Sequence, residues 1–124
     1  MKILVIEDDK DLGAEIVEYL LRSGHEVDLC RTAAAARDAL EAMTASGAVA
    51  GAVACDVGLP DGDGADLCLA FAPRTGATRW LLMSGSQDFE RLEEMLAGLA
   101  PRPIVIEKPV SLRRLRALLE GADS

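Results

Sequence analysis

The chain has 124 residues, half of them hydrophobic but only 3% aromatic, so it has room for one domain, 1–124, with a core built mainly from Ala, Leu, Val and Ile. Thirteen basic residues face 21 acidic ones, a net charge of −8, which excludes the basic footprint of direct nucleic-acid binding. No apolar run approaches the roughly 20 residues of a membrane helix, and the N-terminus enters an apolar stretch without a charged leader, so neither a membrane span nor a signal peptide is expected.

Short apolar runs alternate with helical periodicity, the pattern of repeated βα units around a parallel sheet. Strand one is expected at about Lys2 to Ile6, followed by helix one at about Asp11 to Arg22 with Leu12, Ile16, Tyr19 and Leu20 on one face. Ser23-Gly24 stops that helix, and strand two is short, Glu26 to Cys30. Thr32 caps helix two, which the Ala-rich segment carries to about Met43, and the small-residue stretch Thr44 to Gly51 reads as a loop. Strand three is Ala52 to Cys55, ended by Asp56, and Leu59-Pro-Asp-Gly-Asp-Gly64 is a turn signal before helix three, Ala65 to Phe71. Pro73 to Thr78 is loop and Arg79 to Met83 is strand four. Helix four is predicted over Gln87 to Leu99, with Phe89, Leu92, Leu96 and Leu99 inward. Pro101 and Pro103 bound strand five, Ile104 to Ile106, and Ser111 caps helix five with Leu112, Leu115, Leu118 and Leu119 on its core face.

Cys30, Cys55 and Cys68 have no CxxC spacing, and their odd number argues for thiols in a reducing, cytoplasmic compartment, where they act as small hydrophobes. His25, the one histidine, falls in the turn before strand two. Arg113, Arg114 and Arg116 give helix five a basic, solvated face that is also open to partner docking.

The chemistry gathers at strand ends. Glu7-Asp8-Asp9 closes strand one, Asp56 closes strand three, Ser84 closes strand four, and Lys108-Pro109 closes strand five. In a parallel α/β sheet the C-terminal strand ends form one edge, and ligand sites lie along it. Crowded carboxylates repel unless a cation or protons offset their charge. A hard divalent ion such as Mg²⁺ takes oxygen ligands, and Asp8 and Asp56, with Glu7 directly or through water, supply them. A carboxylate also attacks phosphorus to form an acyl phosphate, and Asp56 is the candidate nucleophile. Lys108 then offsets phosphoryl charge, and Ser84 offers a hydroxyl hydrogen bond. Asp9 is as readily a cap on the following helix.

Four stretches in register, Lys2-Ile-Leu-Val-Ile-Glu-Asp-Asp9, Cys55-Asp-Val-Gly-Leu-Pro-Asp-Gly-Asp-Gly64, Leu82-Met-Ser-Gly-Ser86 and Ile106-Glu-Lys-Pro109, make the chain resemble the receiver domains of two-component response regulators over essentially its whole length. The resemblance implies an α/β fold: a single doubly wound five-stranded parallel sheet with five helices, in the flavodoxin-like order 2-1-3-4-5. It implies that Glu7 and Asp8 are the acidic pair and that Asp56 is the phosphoacceptor. Gly58 would lend its backbone carbonyl to Mg²⁺, Ser84 is the family's hydroxyl and Lys108 its lysine, with Lys108-Pro109 cis. It further implies a histidine kinase or phosphotransfer protein as phosphoryl donor, and an effect exerted through a downstream protein. The face of helix four, strand five and helix five is where a homodimer would form. Outside its own phosphorylation and dephosphorylation such a domain is not an enzyme.

The sequence departs from the family pattern in places. Val105 stands where many receivers carry Tyr or Phe, which puts the usual aromatic coupling to Ser84 in question. Gly58 and Ser86 lie where side chains tune water access to the phosphoryl group, and the bare Gly58 predicts moderate to slow hydrolysis. Pro101-Arg102-Pro103 is expected to stiffen the approach to strand five. Two alternatives remain open: a pseudo-receiver that is never phosphorylated, and the receiver part of a longer regulator whose output domain would follow Ser124. A metal-dependent phosphatase fits poorly, because Glu7-Asp8-Asp9 lacks the Asp-x-Asp such enzymes place after the first strand.

Overall fold

In the computed structural model, residues 1–122 are described, and the side chain of Ser86 is outside the description. The elements in chain order are β1 (Lys2–Ile6), α1 (Lys10–Arg22), β2 (Glu26–Cys30), α2 (Ala33–Ser46), β3 (Ala52–Asp56), β4 (Gly58–Leu59), β5 (Gly62–Asp63), α3 (Gly64–Phe71), β6 (Arg79–Ser84), α4 (Phe89–Leu96), β7 (Ile104–Glu107) and α5 (Leu112–Leu119). Five strands form one parallel sheet in the order β2-β1-β3-β6-β7. The two-residue strands β4 and β5 pair only with each other, as a small antiparallel hairpin inside the expected turn. With that hairpin set aside, the order is the 2-1-3-4-5 expected from the resemblance.

Both faces of the sheet are covered, because consecutive strand residues point to opposite sides. Leu4, Ile6, Val53, Cys55, Trp80 and Leu82 pack on one side with Leu40 and Met43 of α2, Leu67 and Phe71 of α3, and Leu92 and Leu96 of α4. Ile3, Val5, Ala52, Ala54, Leu81 and Met83 pack on the other with Ile16 and Leu20 of α1 and Leu115, Leu118 and Leu119 of α5. Burial on both faces explains why the central strands read as continuous apolar runs rather than alternating ones.

Several boundaries differ from the sequence reading. Asp9 is the cap of α1, its carboxylate accepting from the Leu12 N–H at 3.0 Å, so the helix starts at Lys10. Helix α2 runs past Met43 to Ser46 and stops at Gly47, whose φ of 76° is the left-handed conformation that favours glycine; the loop before β3 is shorter than expected for that reason. The loop after α3 holds a 3₁₀ turn, Ala72–Arg74. Helix α4 is shorter at both ends than Gln87 to Leu99. A 3₁₀ turn over Ser86–Asp88 delays it to Phe89, and it ends at Leu96. As a result Phe89 and Leu99, both expected inward, are only half-buried. Lys108-Pro109 is cis, as the resemblance implied, and so is Ala100-Pro101. Among the described residues no helix is long and apolar enough to cross a membrane.

Candidate functional site

Strand order decides which residues meet. β1 and β3 are neighbours, with Ile6 level with Cys55, so Glu7 and Asp8 emerge beside Asp56 at the C-terminal edge of the sheet. This is the point where the strand order reverses, the place ligands favour in open α/β sheets. β6 lies on the far side of β3, with Met83 level with Asp56, and brings Ser84 to the same edge. β7 pairs Glu107 with Ser84, and the Lys108 N–H donates to the Ser84 carbonyl at 2.8 Å, so Lys108 begins its side chain from that rim too.

One carboxylate oxygen from each of Glu7, Asp8 and Asp56 lies within 4.8 Å of the others. Glu7 is wholly buried and Asp56 nearly so, at 6% exposure, whereas Asp8 opens to solvent. Lys108 reaches across the sheet edge, its Nζ 3.0 Å from Glu7 Oε1 and 3.3 Å from Asp56 Oδ2. The second Glu7 oxygen accepts from the Asp9 N–H at 3.1 Å. Asp56 Oδ1 accepts from the Gly58 N–H at 3.3 Å. Three carboxyl groups thus face a single ammonium.

The electrostatics follow from that imbalance. Burial, and after it the charge of Glu7, pushes Asp56 up to about 7. Its hydrogen bond with Asp56 holds Asp8 below the usual carboxylate range. Burial alone would lower Lys108, but the Glu7 hydrogen bond and the Asp56 charge outweigh it and leave the ammonium above its ordinary value. A cluster of hard oxygen donors that keeps a proton near neutrality for want of positive charge fits a hard divalent cation.

The surrounding residues shape access. Ser84 is buried, and its hydroxyl lies 2.9 Å from the Gly85 carbonyl and 3.5 Å from Asp88 Oδ2. At Gly58 a Cβ would meet nothing within 4 Å, so the mouth of the site is open there. The expectation for Ser86 falls on a side chain outside the described ones. Two residues escaped the sequence reading. Asp61 in the hairpin turn accepts from the Ala33 and Ala34 N–H groups at 2.6 and 3.0 Å, capping α2 from a distant segment. Arg91 of α4 donates to Asp63 at 3.0 Å and lies 3.6 Å from Asp88, tying the hairpin to the turn after Ser84. Only the i,i+3 spacing of Asp88 and Arg91 was a local signal for any of these contacts. His25 lies away from the site, with its Nε2 2.7 Å from Glu120 Oε2.

Known proteins share this chain's sequence pattern and its fold. The sequence pattern of the response regulator receiver domain matches residues 3–120. Among solved structures, the non-phosphorylated HemR receiver domain from Leptospira biflexa is 28% identical, with a TM-score of 0.75 over 96% of this chain and 90% of that one. A CheY-like receiver domain protein from Methanospirillum hungatei (22% identity, TM-score 0.79) and a receiver domain protein from Clostridium thermocellum (22%, 0.78) each match over 96% of this chain and 90% of theirs, and share the fold. No curated protein sequence matches. Sequence pattern and architecture agree over nearly the full length, and the chain belongs to the response regulator receiver domain family.

Proposed function

We propose that the domain accepts a phosphoryl group on Asp56, with Mg²⁺ bound beside it, and signals through protein partners. The reading is carried by one observation: carboxylate oxygens of Glu7, Asp8 and Asp56 lie within 4.8 Å of one another, with the Lys108 ammonium 3.3 Å from the Asp56 carboxylate. Glu7, Asp8 and Asp56, with the Gly58 carbonyl, would hold the cation, which when bound offsets negative charge on phosphoryl oxygens.

In the transfer, an Asp56 carboxylate oxygen attacks the phosphorus of a phosphohistidine on a histidine kinase or phosphotransfer protein. The P–O bond forms as the P–N bond breaks, and the imidazole leaves, taking up a proton from solvent. Lys108, whose pKa lies above its ordinary value so that the ammonium stays charged, turns from Asp56 toward a phosphoryl oxygen. Ser84 carries one hydroxyl proton, so donating it to a phosphoryl oxygen means releasing Gly85 and Asp88. Water returns the acyl phosphate to carboxylate and inorganic phosphate. The exposed Gly58 puts no side chain over the phosphoryl group to order or exclude that water. The setting that suits three free cysteines is the cytoplasm.

Mass spectrometry after incubation with acetyl phosphate and Mg²⁺ tests the proposal. The parent gains the mass of one phosphoryl group and Asp56→Asn gains none. No gain in the parent would reduce the domain to an interaction module.

A further inference from the structure

Among the described residues, α4 alone of the five α-helices begins without a side-chain cap. Asp9, Thr32, Asp63 and Ser111 each accept from a backbone N–H in the first turn of α1, α2, α3 and α5. Each of these caps has extended backbone, with ψ between 117° and 159°. Asp88 stands at the same place before α4, and aspartate is among the best residues for it, yet its side chain makes no such bond. Its backbone gives the reason. With φ −98° and ψ −6° it still belongs to the 3₁₀ turn Ser86–Asp88, which the Asp88 N–H closes on the Gly85 carbonyl at 3.2 Å.

The Asp88 carboxylate is engaged elsewhere. Its Oδ2 lies 3.5 Å from the Ser84 hydroxyl, whose nearer acceptor is the Gly85 carbonyl at 2.9 Å. Its Oδ1 lies 3.6 Å from Arg91 Nε, and Asp63 holds Arg91 in turn at 3.0 Å. These contacts are long or open to water. The Asp88 and Arg91 side chains are each 43% exposed, and an ion pair so exposed holds weakly. Asp88 therefore has two sets of partners of similar strength. One is Ser84 and Arg91, as in this structure. The other is the Glu90 and Arg91 N–H groups, within reach once the Asp88 backbone turns to the extended form that the other four caps have.

We propose that Asp88 is a positioning residue that exchanges these partners with the state of Asp56. While Asp56 is unmodified, Asp88 and the Gly85 carbonyl keep the single Ser84 proton occupied, and α4 stays uncapped. When Ser84 donates to a phosphoryl oxygen instead, the released carboxylate leaves the 3₁₀ turn and caps α4. The exchange carries the state of the site into α4 without an aromatic ring on β7, where Val105 stands. It rests on the reading that Ser84 serves a phosphoryl group on Asp56.

Amide hydrogen exchange followed by NMR tests this in the parent, Asp88→Ala, Asp88→Asn and Ser84→Ala, with beryllofluoride and Mg²⁺ in place of the phosphoryl group. In the parent, beryllofluoride slows exchange at Glu90 and Arg91 about fivefold, the worth of one cap. Asp88→Asn keeps that gain, because asparagine caps as well as aspartate, and Asp88→Ala loses it. Ser84→Ala frees Asp88 without any chemistry at Asp56, so its Glu90 and Arg91 amides are protected before beryllofluoride is added. A Ser84→Ala protein whose two amides exchange as fast as the parent's overturns the proposal. So does an Asp88→Ala protein that gains protection as the parent does. The Ser84→Ala arm also separates the two readings. Protection there, in a protein whose parent shows no change around Asp56 on adding beryllofluoride, keeps the exchange at Asp88 and removes the phosphoryl acceptor.

Discussion

On the proposed function, Asp56 sits under two opposed demands: as a nucleophile it would have to be ionised, yet its burial beside Glu7 favours the proton. An acid raised from 3.8 to about 7 in the folded state stabilises the fold fully below the lower value, and that contribution is lost as pH rises through about 7. In metal-free buffer, the stability of the parent relative to Asp56→Asn therefore falls between pH 4 and pH 7. Asparagine has no charge to desolvate, so at pH 8 the variant is the more stable protein by roughly 1–3 kcal/mol, read by urea denaturation. A pH-independent difference would show that the carboxyl is not held protonated. Gly58 poses a second question at this scale. Its Cβ direction is open, so Gly58→Asn folds without repacking and places an amide beside the phosphoryl group, where it can orient a water. The acyl phosphate of the variant decays several-fold faster than that of the parent; identical lifetimes in a quench-and-label assay would dispose of this role.

Between elements, the hairpin after β3 is a junction. Asp61 caps α2, Asp63 caps α3 by accepting from the Ala65 N–H at 2.8 Å, and the same Asp63 side chain receives Arg91 from α4. Three helices are thereby tied to the turn that follows Asp56. The chain enters α3 at Gly64 because nothing larger fits: a Cβ there would run into the Asp56 carbonyl and lie 2.8 Å from Cys55 Sγ. Gly64→Ala accordingly destabilises the fold by about 1–3 kcal/mol through overpacking, and it displaces the backbone of Asp56. Acetyl-phosphate labelling slows in the same variant. Loss of stability with unchanged labelling would separate the two effects and show that Asp56 is insulated from α3.

At the level of the whole molecule, residues from β1, β3 and β7 share one charge balance, so a ligand that corrects it stabilises the entire fold. Binding to the native state alone adds roughly 2.7 kcal/mol at a hundredfold excess over Kd. At pH 8, Mg²⁺ raises the midpoint of thermal unfolding of the parent but not of Asp8→Asn, while NaCl at equal ionic strength raises neither by the same amount. An equal Mg²⁺ response in both proteins would show that the acidic cluster is not where the ion binds.

Much of this was legible in the linear order of residues. Apolar runs ending in Glu7, Asp56, Ser84 and Lys108 locate the strand ends, and a parallel sheet must bring such ends to one edge, so the site and its members are a consequence of local pattern plus one topological rule. Caps whose partner lies three residues away, such as Thr32, were equally readable. The cap on α2 from Asp61 and the tie from Arg91 to Asp63 were not, because each joins segments 28 residues apart that only the packing of helices on the sheet brings together. The half-burial of Phe89 follows a 3₁₀ turn over Ser86–Asp88 that periodicity does not register. The rise of Asp56 to about 7 likewise depends on depth and distance, which belong to the packed arrangement and to no stretch of sequence.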